Sequence, residues 1–413
     1  MAAASSALGP LQATADHLRR TTLLALGVIS APREWERRSY VRPALRAIDT
    51  TELAFRFVLG DAQRSGLKAR LDAEQVKWRD ICFLPVPDVG KQRLSEKTLH
   101  WFHEAVRLFP RAMWYAKTDT DSFLVWERLR HPLRWLAAHP AWDSERYFLG
   151  KLAWTSYLVA KRTFCGCCAH HAEHGRLLQT APDAAWGPCA SAADRASPDA
   201  PVRYSRQHNS SVRGPFPFAG GSFYAISASL ARWLSHSRHA WRMRQRMRAG
   251  RLSGRMMYTE DAFFGGLVER CRNMTVIATS WDLIANLDEA GTPHLAFHGR
   301  ARRCFQAAHL LADNLTTGAF TPWRSPETVS PMQAVVHKVS TRAQFGRVQR
   351  LVDSWRGLGP QPCFLLPLVV KYRHGQPIYY RTHAQLPRLW PGAAKLEPRV
   401  RYLLENYWTQ DRF

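Results

Sequence analysis

The chain has 413 residues, 46% of them hydrophobic, with 16 tryptophans, enough apolar material for a sizeable core. Its net charge of +25 points to an acidic partner, yet the arginines are dispersed and no zinc-finger, basic-zipper or aromatic-basic RNA-binding pattern occurs, so nucleic acid is not expected. No window of about 18 apolar residues exists, so no membrane-spanning helix is expected within these residues.

Residues 1–20, Ala-rich and ending in Arg19-Arg20, read as a disordered leader with neither signal-peptide nor anchor character. The apolar run Leu23 to Ile29 predicts a strand, ended by Ser30-Ala31-Pro32. An Arg-rich run follows, containing Arg37, Arg38 and Arg42, whose plain reading is exposed ion pairs along a helix. Further strands are predicted at Phe55 to Leu59, Asp80 to Leu84 and Met113 to Ala116. A helix is predicted over Ser95 to Phe109, where Leu99, Phe102, Val106 and Phe109 recur at three- and four-residue spacing. Such alternation argues for an α/β fold.

The last of these strands runs into Lys117-Thr118-Asp119-Thr120-Asp121-Ser122-Phe123. In an extended chain, residues two apart project to one side, so Asp119 and Asp121 can reach one ligand while Thr120 points away. Two carboxylates at the carboxyl end of a strand in an open α/β sheet suit Mn2+ or Mg2+, hard cations that often carry a diphosphate. The pattern alone is cheap, since an aspartate pair that hydrogen-bonds its own backbone at a strand-to-turn junction accounts for it equally.

Beyond it, residues 161–212 break the alternation and read as a surface insertion. Cys165, Cys167 and Cys168 with His170, His171 and His174 are followed there by a polar linker. A disulfide, for instance with Cys189, is preferred over zinc, because the second half of a paired Cys/His spacing is missing. Pro215 to Ser227 is a glycine-containing segment in which Gly220 and Gly221 let backbone approach a ligand or make a plain turn. The run Arg232 to Arg255 predicts a basic amphipathic helix that is solvated or touches an anionic glycan or lipid. In Tyr258 to Gly266, Thr259 can cap a helix whose first turn holds Glu260 and Asp261, acidic residues that favour the helix dipole even without a catalytic role. After about Phe305 the chain reads as an extension with a small strand-bearing module.

Three of the five asparagines, Asn209, Asn273 and Asn314, stand in glycosylation sequons, and the eight cysteines are an even number that can pair in an oxidising lumen.

Taken in order from Leu23 to about Arg303, these segments resemble glycosyltransferase family 31, the β-1,3-galactosyltransferase, N-acetylglucosaminyltransferase and Fringe group. There, a Ser-x-Pro strand end and an arginine-bearing helix precede a K-D-D-D-x-F metal motif, a G-x-x-Y-x-x-S segment and an E-D-V-x-x-G segment. Thr120 departs from that pattern at the middle aspartate, Ala262 at the usual valine, and Arg93 stands where asparagine is common. The resemblance implies a GT-A-type nucleotide-sugar-binding sandwich over 21–305, with the insertion and with a C-terminal extension over 306–413. It implies a UDP-sugar donor, a glycan, glycoprotein or glycolipid acceptor, and Mn2+ (or Mg2+) held by Asp119, Asp121 and His298, with His294 a rival ligand. It makes Asp261 the general base and gives Glu260, Gly220, Gly221, Arg37, Arg38, Arg42 and Asp119 binding roles. It also implies a type II membrane protein of the Golgi or ER lumen, whose anchor these residues do not contain. A catalytically silent glycan-binding protein on the same fold is the alternative, and a nucleic-acid-binding protein a lesser one.

Overall fold

The computed structural model describes residues 22–61, 66–88, 93–138, 146–158, 163–165, 202–203, 212–249, 260–271, 274–278, 284–286, 335–337, 339–354, 368–373 and 376–381. The leader, most of the 161–212 insertion, the three sequon asparagines, Thr259, His294 and His298 lie outside them.

The first half alternates as its hydrophobic pattern requires. Strand β1 (Leu24–Ile29) leads through a short 3-10 turn (Pro32–Glu34) into α1 (Trp35–Arg46). Then come β2 (Leu53–Asp61), α2 (Lys68–Trp78), β3 (Ile81–Pro87), α3 (Leu94–Leu108) and β4 (Trp114–Asp119). These four strands pair in parallel in the order β3-β2-β1-β4. Every residue of β1 is buried, as expected where both faces of a parallel sheet are covered. Leu24, Leu26 and Val28 join one apolar cluster, while Ala25 and Ile29 join the other. Gly27 is fixed by a close approach: a Cβ there would stand 2.3 Å from the Trp101 indole, whose Nε1 donates to the Ala116 carbonyl at 2.9 Å. Helix α3 is thereby seated directly on the sheet.

The chain continues through β5 (Ser122–Leu124), α4 (Trp126–Ala137), β6 (Arg146–Leu158), β7 (Thr163–Cys165), β8 (Val202–Arg203) and β9 (Val212–Ser227). Then come α5 (Ala228–His236), α6 (Arg238–Arg248), α7 (Glu260–Val268), β10 (Met274–Ala278), β11 (Ile284–Asn286), β12 (Val335–His337), α8 (Arg342–Ser354), β13 (Leu368–Arg373) and β14 (Gln376–Arg381). Strand β9 lies antiparallel between β4 and β6, so the glycine-containing segment is a central strand of the sheet rather than a plain turn. Its register slips between Ala219 and Tyr224, which widens the strand around Gly220 and Gly221. The basic run beyond it is two helices. Ser237 ends α5 and caps α6, accepting from the Ala240 amide at 3.4 Å.

The appended C-terminal module gives way to integration in the described parts. Strand β12 pairs with β5 immediately after Asp121, and the Val339 amide donates to the Asp121 carbonyl at 2.8 Å. Phe345 of α8 packs on Tyr40 and Phe123, and β13 extends the main sheet beside β10. The physical reason is that the edge of β10 needs a hydrogen-bonding partner, and the Leu368–Arg373 run supplies one.

Candidate active site

Strand order reverses at β1, whose neighbours β2 and β4 lie on opposite sides, so a crevice opens at the carboxyl ends of β1 and β4. Ile29 and Asp119 are register partners there, and the Thr120 amide donates to the Ile29 carbonyl at 3.2 Å. Side chains alternate as expected. Thr120 is 3% exposed, whereas the Asp119 side chain is 27% exposed and Asp121 is half-buried.

Thr120 points to Glu34, donating to Oε2 at 3.0 Å. The same carboxylate accepts from the Ala31 amide at 2.8 Å and the Ser30 hydroxyl at 3.3 Å, and it pairs with Arg37 at 3.0 Å. A middle aspartate would meet this carboxylate with like charge, and threonine supplies a donor instead.

Lys117 links the aspartates to the acidic pair on α7. Its ammonium is 3.1 Å from both Asp119 Oδ1 and Glu260 Oε2, and it donates to the Gly221 carbonyl. Burial alone would lower its pKa, but Asp119, Glu260 and Asp261 together hold it above the usual lysine value. Glu260, 4% exposed, also accepts from the Tyr224 hydroxyl at 2.5 Å. Burial works against its charge, yet Lys117 and hydrogen bonds from Asp261 and Tyr224 bring its pKa below the ordinary carboxylate value. Asp261 shifts the other way, raised by burial and then by the Glu260 charge beside it. The two carboxyls thus shift in opposite directions, Glu260 toward its charged form and Asp261 toward its neutral one.

Gly221 makes room for Asp261. A Cβ at position 221 would stand 2.7 Å from Oδ1 and 2.8 Å from Oδ2. In the G-x-x-Y-x-x-S segment, Gly221 thus faces Asp261 and Tyr224 holds Glu260. Ser227 caps α5, accepting from the Leu230 amide at 3.4 Å. Gly220, half-buried, lies next to this contact.

The early arginines divide. Arg37 is partly exposed beside Glu34. Arg38 and Arg42 are buried, which corrects their reading as exposed ion pairs. Arg38 grips Glu74 at 2.7 and 2.9 Å and donates to Ser30 and the Ala31 carbonyl. Arg42 is bidentate to Asp80 at 2.7 and 3.1 Å and reaches Glu74 at 2.6 Å. In these positions they tie α1 to α2 and to the start of β3. Reading residue by residue missed Lys117, Tyr224 and Glu34. The first two stood inside the quoted motifs, and Glu34 had no signal beyond following the Ser30-Ala31-Pro32 stop.

The donor set suits a hard divalent cation. Asp119 and Asp121 are partly exposed carboxylates on one side of a strand end, and Mn2+ or Mg2+ commonly takes one or two carboxylates and completes its shell with substrate phosphates and water. Among the described residues no group of three or more His, Cys, Asp or Glu side chains gathers as a metal site. Cys82 and Cys271 are buried thiols, pushed up to about 12 and about 11 chiefly by burial. Among the described residues no helix is long and apolar enough to cross a membrane.

The sheet, parallel over β3-β2-β1-β4, carries acidic groups at the carboxyl edge of that half. Residues 33–247, just over half of the chain, match the family model described as Galactosyltransferase, and the chain belongs to that family, glycosyltransferase family 31. It is also similar to a probable beta-1,3-galactosyltransferase 12 from Arabidopsis thaliana, 39% identical over 85 residues. That match spans 21% of this chain and 22% of the plant protein.

Proposed function

We propose that the chain transfers galactose from UDP-galactose to a glycan hydroxyl with inversion, forming a β-1,3 linkage, in the lumen of the secretory pathway. N-acetylglucosamine is the second donor to test. The observation that carries this reading is Lys117 bridging Asp119 to the Glu260–Asp261 pair beside Gly221. The family membership and the name of the plant relative support the donor and linkage.

In the reaction, the acceptor oxygen bonds to the anomeric carbon, the bond from that carbon to the diphosphate oxygen breaks, and UDP departs. Asp261, in its carboxylate form, takes the proton of the acceptor hydroxyl. Glu260, locked by Lys117 and Tyr224, holds Asp261 in place. Asp119 and Asp121 would hold Mn2+ or Mg2+, which when bound neutralises the charge on the departing diphosphate. Arg37, beside Glu34, would contact the nucleotide.

The test is UDP release from the purified protein with a panel of UDP-sugars, an acceptor panel and Mn2+, run beside a chelator and Asp121→Ala. Release with UDP-galactose that disappears in both controls is expected. Folded protein that fails to bind UDP would overturn the reading, and UDP binding without transfer to any acceptor would favour a silent glycan-binding protein.

A further inference from the structure

Helix α6 carries five arginines, at 238, 242, 244, 246 and 248, and no acidic residue. None of the five forms an ion pair among the described residues. Its apolar face, Ala240, Met243 and Met247, packs into the core, and the Met247 carbonyl accepts from Arg93 at the start of α3 at 3.2 Å. This packing sets Arg244 and Arg248, one turn apart on α6, against His100 and His103 of α3. Like charges at that spacing repel, and among the described residues no carboxylate forms an ion pair with either arginine.

The neighbouring acid, Glu104, offsets these cations only in part and is itself held by Arg107 at 2.5 and 3.0 Å. His236, at the end of α5, adds another basic group near His103. His100 is the second, independent observation. It is 4% exposed, and its Nε2 has no hydrogen-bond partner. A buried polar nitrogen of that kind is costly unless something meets it. Burial first, then Arg248, Arg244 and His103, depress its pKa to about 4, as a crowd of only partly offset cations would.

We propose that His100, His103, Arg244 and Arg248 form a binding site for a tetrahedral oxyanion, a sulfate or phosphate ester carried on a sugar, at the junction of α3 and α6. Two guanidinium forks and two imidazoles match the donors such a group accepts from. His103 and Arg248 are exposed and Arg244 is half-buried, so the site opens to solvent on one side. Trp241, 53% exposed and one turn before Arg244, offers a ring face to the sugar.

The experiment follows histidine ring resonances of the full chain, assigned with His100→Gln and His103→Gln. The probes are sodium sulfate, a monosaccharide sulfate, and vesicles of phosphatidylcholine with phosphatidylserine, with chloride holding ionic strength constant. Saturable shifts at His100 and His103 with both soluble probes, tighter for the sugar sulfate, are expected. Arg244→Gln/Arg248→Gln should weaken binding by about tenfold or more, because two charge-assisted contacts are lost, while UDP binding is unchanged. Trp241→Ala should remove only the preference for the sugar sulfate. Shifts that chloride reproduces, shifts that persist in the double variant, or a response to vesicles alone would each overturn the proposal.

Discussion

Gly221 and Asp261 meet so closely that the hydrogen on the glycine Cα occupies the only space available beside the carboxylate: a Cβ would lie 2.7 Å from Oδ1. Two segments far apart in the chain, the widened part of β9 and the first turn of α7, are fitted to each other by the absence of one side chain.

Gly221→Ala should therefore displace the Asp261 carboxylate before it unfolds anything. The cost in stability should be about 1–3 kcal/mol, typical of overpacking. The rate of transfer should fall by about 100-fold or more, as expected when a general base is moved. Steady-state kinetics beside thermal melting separates the two effects; a full-rate variant with an ordinary melting curve would show that Asp261 is not the base.

Lys117 is the only cation within hydrogen-bonding reach of Glu260 among the described residues. Lys117→Met should strand a buried carboxylate and cost about 3–5 kcal/mol, read from urea unfolding. Adding Glu260→Gln to that variant should recover part of the loss, since the stranded charge is then gone. If the double variant is as unstable as the single one, the lysine acts through packing rather than charge.

Restoring an aspartate at position 120 should harm this protein. Thr120→Asp would replace a hydrogen bond to Glu34 with like-charge repulsion and lower stability by about 1–3 kcal/mol, the cost of an unsatisfied buried partner. Glu34→Gln in the same chain should relieve it. Calorimetry on the four members of this cycle gives the coupling, and additivity would show that the two residues do not communicate.

Acid should weaken the fold through His100. Its folded pKa is about 4 against an ordinary value of 6.5, so between these values the unfolded chain binds the extra proton. Stability is fully present above about pH 6.5, falls as the pH drops towards 4, and levels off below, by about 3 kcal/mol in all. Denaturation curves in chloride buffers free of sulfate and phosphate should show this slope, and His100→Phe should flatten it. An unchanged slope in that variant would assign the acid sensitivity to other groups.

The sequence by itself determined the elements and most of the edge they form. The strands at β1, β2, β3 and β4 follow from short apolar runs and helix α3 from a period-3.6 pattern, and Asp119 and Asp121 follow from alternation along one strand. The order of short motifs pointed to the family because each marks a strand end or helix start. Tertiary structure alone decided what those motifs do to one another. Arg38 and Arg42 looked like surface residues until Glu74 and Asp80 closed over them, and the segment after residue 306 looked appended until β13 found the edge of β10. Lys117 became a bridge only when β9 and α7 brought Gly221 and Glu260 to its ammonium. Pairing across a sheet and burial of a charge depend on partners far along the chain, 36 residues away for Arg38 and Glu74 and 143 for Lys117 and Glu260, and no local period records which partner will arrive.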